Sequence, residues 1–221
     1  LSMVGSADYF DTANDGQVNV VLQYRQPGSA IKPLNYAMSL ENGRTAMSLL
    51  EDQAVEYAIP GEENYRPRND DSIFRGAVTL REALASSYNI PAVKELKSNG
   101  VLNFLEKAKA VGIDNWTQHN EYRYALTLGS AEVRMLDLAE LYSTFANQGK
   151  PVAPHPLLEV TDIHGNILYT RHCNPETGDC AGLPVFSPET AFLISDMLSD
   201  NDARSSTFGH HSDLSIKAHQ V

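Results

Sequence analysis

The sequence predicts an α+β fold, in which a helix-rich middle is combined with short strands towards both ends of the chain. Residues 79–147 carry apolar side chains at helical spacing, in segments that end at glycine. Residues 157–170 alternate in polarity around a His-Gly-Asn turn, which is typical of a β-hairpin. The first 24 residues are extended and loop-rich, and the last eight, "LSIKAHQV", favour a strand. Strands that are distant in sequence can pair into one sheet, which completes an α+β arrangement.

The composition is that of an ordinary globular domain and excludes some classes of function. The 221 residues are 42% hydrophobic and 20% charged, with a formal net charge of -11. Lys and Arg form no run, so we expect no nucleic-acid binding. No apolar run approaches the roughly 18 residues of a membrane span. The chain begins at Leu1, which is not a natural start, so we expect it to be part of a longer protein.

The element boundaries follow from capping and spacing signals. Apolar residues at helical spacing predict a helix over residues 31–41. Residues 44–78 are rich in Pro, Gly, Asn and charge, and the stretch "IPGEENYRPRNDDSIFRG" within them predicts a long surface loop or an irregular excursion, of the kind that is more often functional than idle. Thr79 and Glu82 form a capping-box pattern at the next helix start. Ser187, which is followed by proline and an acid, predicts a further helix that extends to about residue 198.

Two cysteines flank the short stretch "CNPETGDC" at residues 173–180. The residues between Cys173 and Cys180 have a turn composition, so the spacing fits a disulfide-closed loop and an oxidising compartment. Two reduced thiols on a surface loop are the alternative. The chain has too few cysteines, without suitably spaced histidines, for a structural zinc site.

The stretch "QPGSAIKP" places Ser29 three residues before Lys32, at the start of the first predicted helix. Residues i and i+3 share a helix face. A serine hydroxyl becomes a useful nucleophile only beside a base, and burial lowers the pKa of a lysine so that it can be that base. Backbone N–H groups at a helix N-terminus also favour an oxyanion. We interpret Ser29 as a candidate nucleophile and Lys32 as its base; a capping serine and a solvated lysine are the alternative.

A second candidate element is Ser87-Tyr88-Asn89. We expect the chain to leave helical geometry within this stretch, because Asn89 and Ile90 precede Pro91. The hydroxyl of Ser87 and the amide of Asn89 then point the same way, one to relay a proton and the other to hold a substrate carbonyl. A plain helix C-terminus with Asn89 as its cap is the alternative.

Together these stretches resemble the penicillin-binding proteins, which are active-site-serine D,D-transpeptidases and acyltransferases. "RQPGSAIKP" is similar to their Ser-x-x-Lys motif, and "SYN" within "TLREALASSYNIPAV" is similar to their Ser-x-Asn motif. "YALTLGSAEVRMLDLAELYSTFANQGKPVAP" resembles a signature of the class A, bifunctional branch, and "MVGSADYFD" and "YRPRNDDSIFRG" also resemble that family. The resemblance runs collinearly over residues 1–221. It implies a partial transpeptidase domain with an antiparallel sheet packed against helices and the catalytic serine at the head of a central helix.

The resemblance also implies a role for each matched residue. Ser29 attacks the penultimate D-Ala carbonyl of a peptidoglycan stem peptide, and Lys32 takes its proton. Ser87, with a lysine, protonates the leaving amine, and Asn89 binds the substrate amide. The acyl group then passes to an amine of a neighbouring stem, whereas a β-lactam antibiotic stalls at the acyl-enzyme.

The family also implies a setting for the chain. No cofactor is expected. The expected location is extracytoplasmic, in the periplasm or on the outer face of the bacterial inner membrane. The expected parent chain is membrane-anchored and carries a glycosyltransferase domain.

The chain departs from the family at its third motif, where Lys-Thr-Gly is replaced by Lys217-Ala218-His219. Lys217 retains the positive charge of a substrate-binding residue. Ala218 has no hydroxyl for the substrate carboxylate, and His219 replaces a glycine that lets a strand edge approach the ligand. We expect either a degenerate third motif or a domain truncated at both ends.

Two other functions remain as alternatives. The altered third motif fits a non-catalytic binding or scaffold module of the same fold. A hydrolase of β-lactams or D-Ala-D-Ala peptides is the other, although no deacylating glutamate motif is evident. The histidine pair His210-His211 lacks supporting ligands for a metal, and we interpret Asp70-Asp71 as solvated loop charge.

Overall fold

A buried helix, α1 (Lys32–Glu41), organises the fold. The computed structural model describes residues 3–59, 61, 63–117, 122–171, 173 and 180–213. Every residue from Lys32 to Leu40 is buried, so the helix is enclosed by protein on all sides. Pro33 lies in its first turn, where a missing N–H is tolerated. The helix predicted over residues 31–41 is confirmed.

Further helices surround α1. Along the described chain they are α2 (Leu80–Ala85), α3 (Asn89–Asn99), α4 (Val101–Ala110), α5 (Met135–Ala146), α6 (Pro188–Ser199) and α7 (Asn201–Phe208). Helices α2, α3, α4 and α6 pack directly against α1, and their apolar faces form one continuous core with it. The predicted caps are confirmed. Thr79 and Glu82 form a capping box at α2, and the Ser187 side chain accepts a hydrogen bond from the backbone of α6. No helix of the described residues is both long enough and apolar enough to cross a membrane.

Among the residues that the structure describes, short strands complete the α+β architecture in three antiparallel pairs. The strands are β1 (Tyr24–Arg25), β2 (Leu49–Asp52), β3 (Gly76–Thr79), β4 (Val133–Arg134), β5 (Glu159–Thr161) and β6 (Ile167–Thr170). Strand β1 pairs with β4, β2 with β3, and the predicted hairpin of β5 and β6 is confirmed. The first of these pairs joins segments more than a hundred residues apart, with Tyr24 opposite Arg134.

Two features were not predicted from the sequence. One is the pairing of β2 with β3, which flank the segment that was predicted to be a loop or an irregular excursion. Each strand has only four residues, and their pairing across 23 intervening residues leaves no local signal. Helix α7 was not predicted either, since its composition is polar and it buries only Arg204. Tertiary contact, rather than local pattern, stabilises both.

The cysteine loop is closed. Cys173 and Cys180 form a disulfide, with 4.5 Å between their Cα atoms. The disulfide prediction is therefore confirmed by the structure. The residues between them lie outside the described part of the chain, as does the strand predicted at the C-terminus.

Candidate active site

The candidate nucleophile, Ser29, lies on a tight turn that leads directly into the central helix. Residues Gly28–Ile31 form a 3₁₀ turn, and the backbone N–H of Lys32 donates to the carbonyl of Ser29. Side chains three residues apart eclipse each other in this geometry, so Ser29 and Lys32 project from the same face. Gly28 has φ +57°, a left-handed conformation that favours glycine. Ser29 itself is exposed and therefore open to a substrate.

The side chain of Lys32 is buried and points into a cage of acceptors. Only 1% of the residue is exposed. Its Nζ donates to the backbone oxygen of Ser87 at 2.6 Å and to Oδ1 of Asn89 at 2.7 Å, and it lies 3.1 Å from Oγ of Ser87. The structure thus brings Lys32 next to Ser87 and Asn89, both of which lie more than fifty residues further along the chain.

Burial changes the acidity of Lys32. Loss of hydration lowers the pKa of its ammonium from 10.5 to about 7, and the negative charge of Asp70 opposes this shift only in part. Near neutral pH a substantial fraction of the amine is therefore unprotonated. An unprotonated amine can accept a proton, whereas a solvated lysine cannot act in this way.

Ser87 owes its position to the way α2 ends. The N–H of Tyr88 donates to the carbonyl of Ala83, and the N–H of Ser87 donates to that of Leu84, which together make a Schellman motif. Ser87 occupies the left-handed position of this motif with φ +60°, where glycine is usual. The strained turn directs both its carbonyl and its hydroxyl at Lys32.

The predicted break in helical geometry is confirmed, but Pro91 is not its cause. The chain leaves the helix at Ser87 and Tyr88, while Asn89 and Ile90 are the first residues of α3. Pro91 follows within the first turn, where its missing N–H costs nothing. The expectation that Pro91 causes the break was wrong, because Asn89 and Ile90 are helical and the Schellman motif ends α2 before them.

A residue that the sequence reasoning missed, Asn69, fixes the start of α3. Its Oδ1 accepts from the backbone N–H groups of Asn89 at 2.8 Å and Ile90 at 3.3 Å, so it acts as a cap supplied from outside the helix. Its Nδ2 donates to both carboxylate oxygens of the fully buried Asp52, at 2.8 and 2.9 Å, and to the carbonyl of Ile73. The sequence signal was the long polar segment of residues 44–78, which indicated function without indicating which residue mattered.

Asp70, interpreted from sequence as solvated loop charge, contacts the site. Its Oδ1 lies 3.0 Å from Nδ2 of Asn89, whereas the neighbouring Asp71 pairs with Arg75 instead. Lys217, with Ala218 and His219, lies outside the described residues.

The cage around Lys32 allows proton transfer in two directions. A neutral amine has two hydrogens and one lone pair. The two pure acceptors, the backbone oxygen of Ser87 and Oδ1 of Asn89, take both hydrogens. The lone pair is then left for a hydroxyl, from Ser29 on the preceding turn or from Ser87 at 3.1 Å. This arrangement can accept a proton from one hydroxyl and pass one on through the other.

Comparison with known proteins assigns the chain to a family. A model described as the penicillin-binding protein transpeptidase domain matches residues 1–219. Penicillin-binding protein 1A of Rickettsia bellii is 30% identical over 208 residues, which cover 90% of this chain and 26% of that protein. Penicillin-binding protein 1A of Aquifex aeolicus is 40% identical over 145 residues, which cover 65% of this chain and 19% of that protein. The chain thus spans about a quarter or less of these relatives.

Solved structures show the same fold. Penicillin-binding protein 1A of Haemophilus influenzae superposes with a TM-score of 0.75 at 27% identity, over 97% of this chain and 34% of that one. An imipenem acyl-enzyme complex of penicillin-binding protein A from M. tuberculosis gives 0.74 at 19% identity, over 95% of this chain and 50% of that one. Because the family model matches residues 1–219 of its 221 residues, this chain belongs to the penicillin-binding protein transpeptidase domain family.

Proposed function

We propose that this domain is a peptidoglycan D,D-transpeptidase that acts through an acyl-enzyme on Ser29. The hydroxyl of Ser29 attacks the penultimate D-Ala carbonyl of a stem peptide while its proton moves to Lys32. The C–N bond to the terminal D-Ala breaks, and the leaving amine takes a proton through Ser87. An amine of a second stem then attacks the ester, releases Ser29 and forms the cross-link.

The observation that carries the proposal is the environment of Lys32. The lysine is buried, its pKa is lowered to about 7, and it lies one turn after an exposed serine. A catalytic base works best when its pKa lies near the working pH. Backbone strain such as that at Ser87 is concentrated at functional sites, and here it presents a hydroxyl to the buried lysine.

The relatives support the same chemistry. The acyl-enzyme reported for the M. tuberculosis protein is the product expected when a β-lactam reacts at an active-site serine of this fold. For this chain we propose the same product on Ser29, in an extracytoplasmic protein whose substrates are stem peptides.

Labelling with fluorescent penicillin tests the proposal. The full-length protein is expected to become covalently labelled, and Ser29→Ala to lose the label completely. Ser130→Ala is the matched control, because Ser130 is also exposed and lies in the segment that packs beside residue 28, yet it has no role in the proposed chemistry. Ser130→Ala should label as the parent does.

The outcomes also separate the alternative functions. A folded protein that takes up no label would indicate a non-catalytic module and would end the proposal. Label that appears and is then released within minutes, with opened β-lactam in solution, would indicate a hydrolase. Label that persists on Ser29 supports the transpeptidase.

A further inference from the structure

The amide of Asn89 has no hydrogen left for a substrate. The side-chain amide carries two N–H hydrogens. One is donated to the backbone carbonyl of Arg68 at 2.9 Å and the other to Oδ1 of Asp70 at 3.0 Å, while the amide oxygen accepts from Lys32 at 2.7 Å. A substrate carbonyl that binds Asn89 must therefore displace one of the two acceptors.

Of these two acceptors, Asp70 is the one that can move. The carbonyl of Arg68 belongs to the backbone and lies between two buried residues, Pro67 and Asn69. Displacing it would break the contacts of Asn69 with Asp52 and with the start of α3. Asp70 is exposed, and rotation of its side chain releases the amide without disturbing the backbone.

The place of Asp70 is nevertheless set by the fold. Its neighbour Asn69 is buried and holds the loop through hydrogen bonds to Asp52 and Ile73, so the Cα of Asp70 is kept beside Asn89. The charge of Asp70 also reaches Lys32, whose pKa it raises against the larger effect of burial. Asp71, one residue later, is turned away and paired with Arg75.

We propose that Asp70 is a specificity-determining residue: its carboxylate occupies the Asn89 N–H that the carbonyl of an acylamide substrate needs, so such a substrate binds only by displacing it. The inference rests on the transpeptidase chemistry proposed above. A ligand that presents a hydroxyl at this position can donate to the carboxylate and need not displace it. A ligand that presents a carbonyl can only accept a hydrogen bond, so it competes with the carboxylate of Asp70 for the Asn89 N–H.

Two β-lactam probes separate these cases. Benzylpenicillin carries an acylamide carbonyl beside its reactive ring, and imipenem carries a hydroxyethyl group there instead. The measurement is the second-order acylation rate of the full-length protein with each probe, reported as the ratio of the benzylpenicillin rate to the imipenem rate. Effects on Ser29 or Lys32 enter both rates and cancel in this ratio.

Asp70→Ala is expected to raise the ratio about tenfold, since a hydrogen bond to a charged acceptor no longer has to be broken. Asp70→Asn keeps an acceptor oxygen without the charge and should raise the ratio less. Asp71→Ala removes the same charge from the adjacent position without touching Asn89. It should change the ratio by less than about twofold, as expected for an exposed pair.

Each result is decisive. An unchanged or lower ratio in Asp70→Ala, or an equal rise in Asp71→Ala, would overturn the inference while leaving the proposed acylation intact. If neither probe acylates the parent protein, the proposed function fails and the inference fails with it. Thermal unfolding of each variant shows whether the fold is retained.

Discussion

At the scale of single residues, the chemistry depends on how one lysine is buried. Lys32 would hold its proton up to pH 10.5 in water, and enclosure lowers its pKa to about 7. The three groups that receive it are all polar, so the amine is held in place without being kept charged by an ion pair. This balance makes a base from a residue that is normally a permanent cation.

Acylation should therefore depend on pH through Lys32. Only the unprotonated amine can take the proton of Ser29, so we expect the rate to fall about tenfold for each pH unit below 7 and to level off above it. Stopped-flow acylation by a β-lactam from pH 5 to 9 measures this, with thermal unfolding at each pH as control. A rate that stays flat from pH 5 to 8 would contradict the assignment of Lys32 as the base.

The lowered pKa of Lys32 also makes the stability of the folded chain depend on pH, but above pH 7 rather than below it. Between pH 7 and 10.5 the unfolded chain binds the Lys32 proton and the folded chain does not, so the contribution of this group to the free energy of unfolding increases with pH across that window. Below pH 7 both states are protonated and the cost of burying the charge is fully present.

At the scale of elements, the start of α3 is capped by a residue twenty positions upstream. Tyr88, the residue before the helix, makes no side-chain cap, and Asn69 supplies the missing acceptor. The same amide binds Asp52, whose carboxylate also accepts from the backbone of Arg75. The loop, the β2–β3 pair and the helix that carries Asn89 are therefore joined through one side chain.

Replacing Asn69 with alanine should destabilise the protein by about 3 kcal/mol, from a lost helix cap and a buried carboxylate left short of a donor. Acylation should slow as well, because Asn89 loses its fixed position beside Lys32. Urea denaturation and β-lactam acylation measure the two effects.

Asn64→Ala is the matched control for that variant. Asn64 belongs to the same segment but is exposed, and its side chain donates to the exposed side chain of Glu56. We expect a change of less than about 0.5 kcal/mol there, as for most surface substitutions. Equal losses in both variants would show that the cap contributes nothing particular.

At the scale of the whole molecule, the turn that holds Ser29 is pressed against a segment from the middle of the chain. Gly129 has φ +78° and lies directly against the backbone of Gly28, so a Cβ at residue 129 would collide with it. The pairing of β1 with β4 and a hydrogen bond from Gln26 to the carbonyl of Ser130 hold the same two segments together. The position of the nucleophile thus depends on a contact across a hundred residues.

Gly129→Ala should displace Gly28 and with it Ser29. We expect acylation to slow by at least about tenfold, since small misplacements of a reacting group cost rate steeply. Gly165→Ala is the control, because Gly165 has a similar φ of +84° in the β5–β6 turn with nothing near its missing Cβ. Both variants place alanine in a strained left-handed conformation, so the comparison isolates the contact with Gly28. If Gly129→Ala is acylated as fast as Gly165→Ala, this contact does not position Ser29.

The sequence by itself determined what is local. Several elements depend on residues that are only a few positions apart, so their patterns can be recognised in the sequence. They are the helix that begins after Ser29, the capping box at Thr79, the cap at Ser187 and the β5–β6 hairpin. The resemblance of its motifs to a known family determined the fold class in the same way.

Only the tertiary structure decided the electrostatic state of the candidate site. Each feature that defines this state depends on residues that lie far apart in sequence. These features are the burial that lowers the pKa of Lys32, the cap that Asn69 supplies to α3, the contact of Asp70 with Asn89, and the packing of Gly28 against Gly129. The burial of a group and its distance from other charges depend on its surroundings in three dimensions, and the order of residues along the chain shows neither.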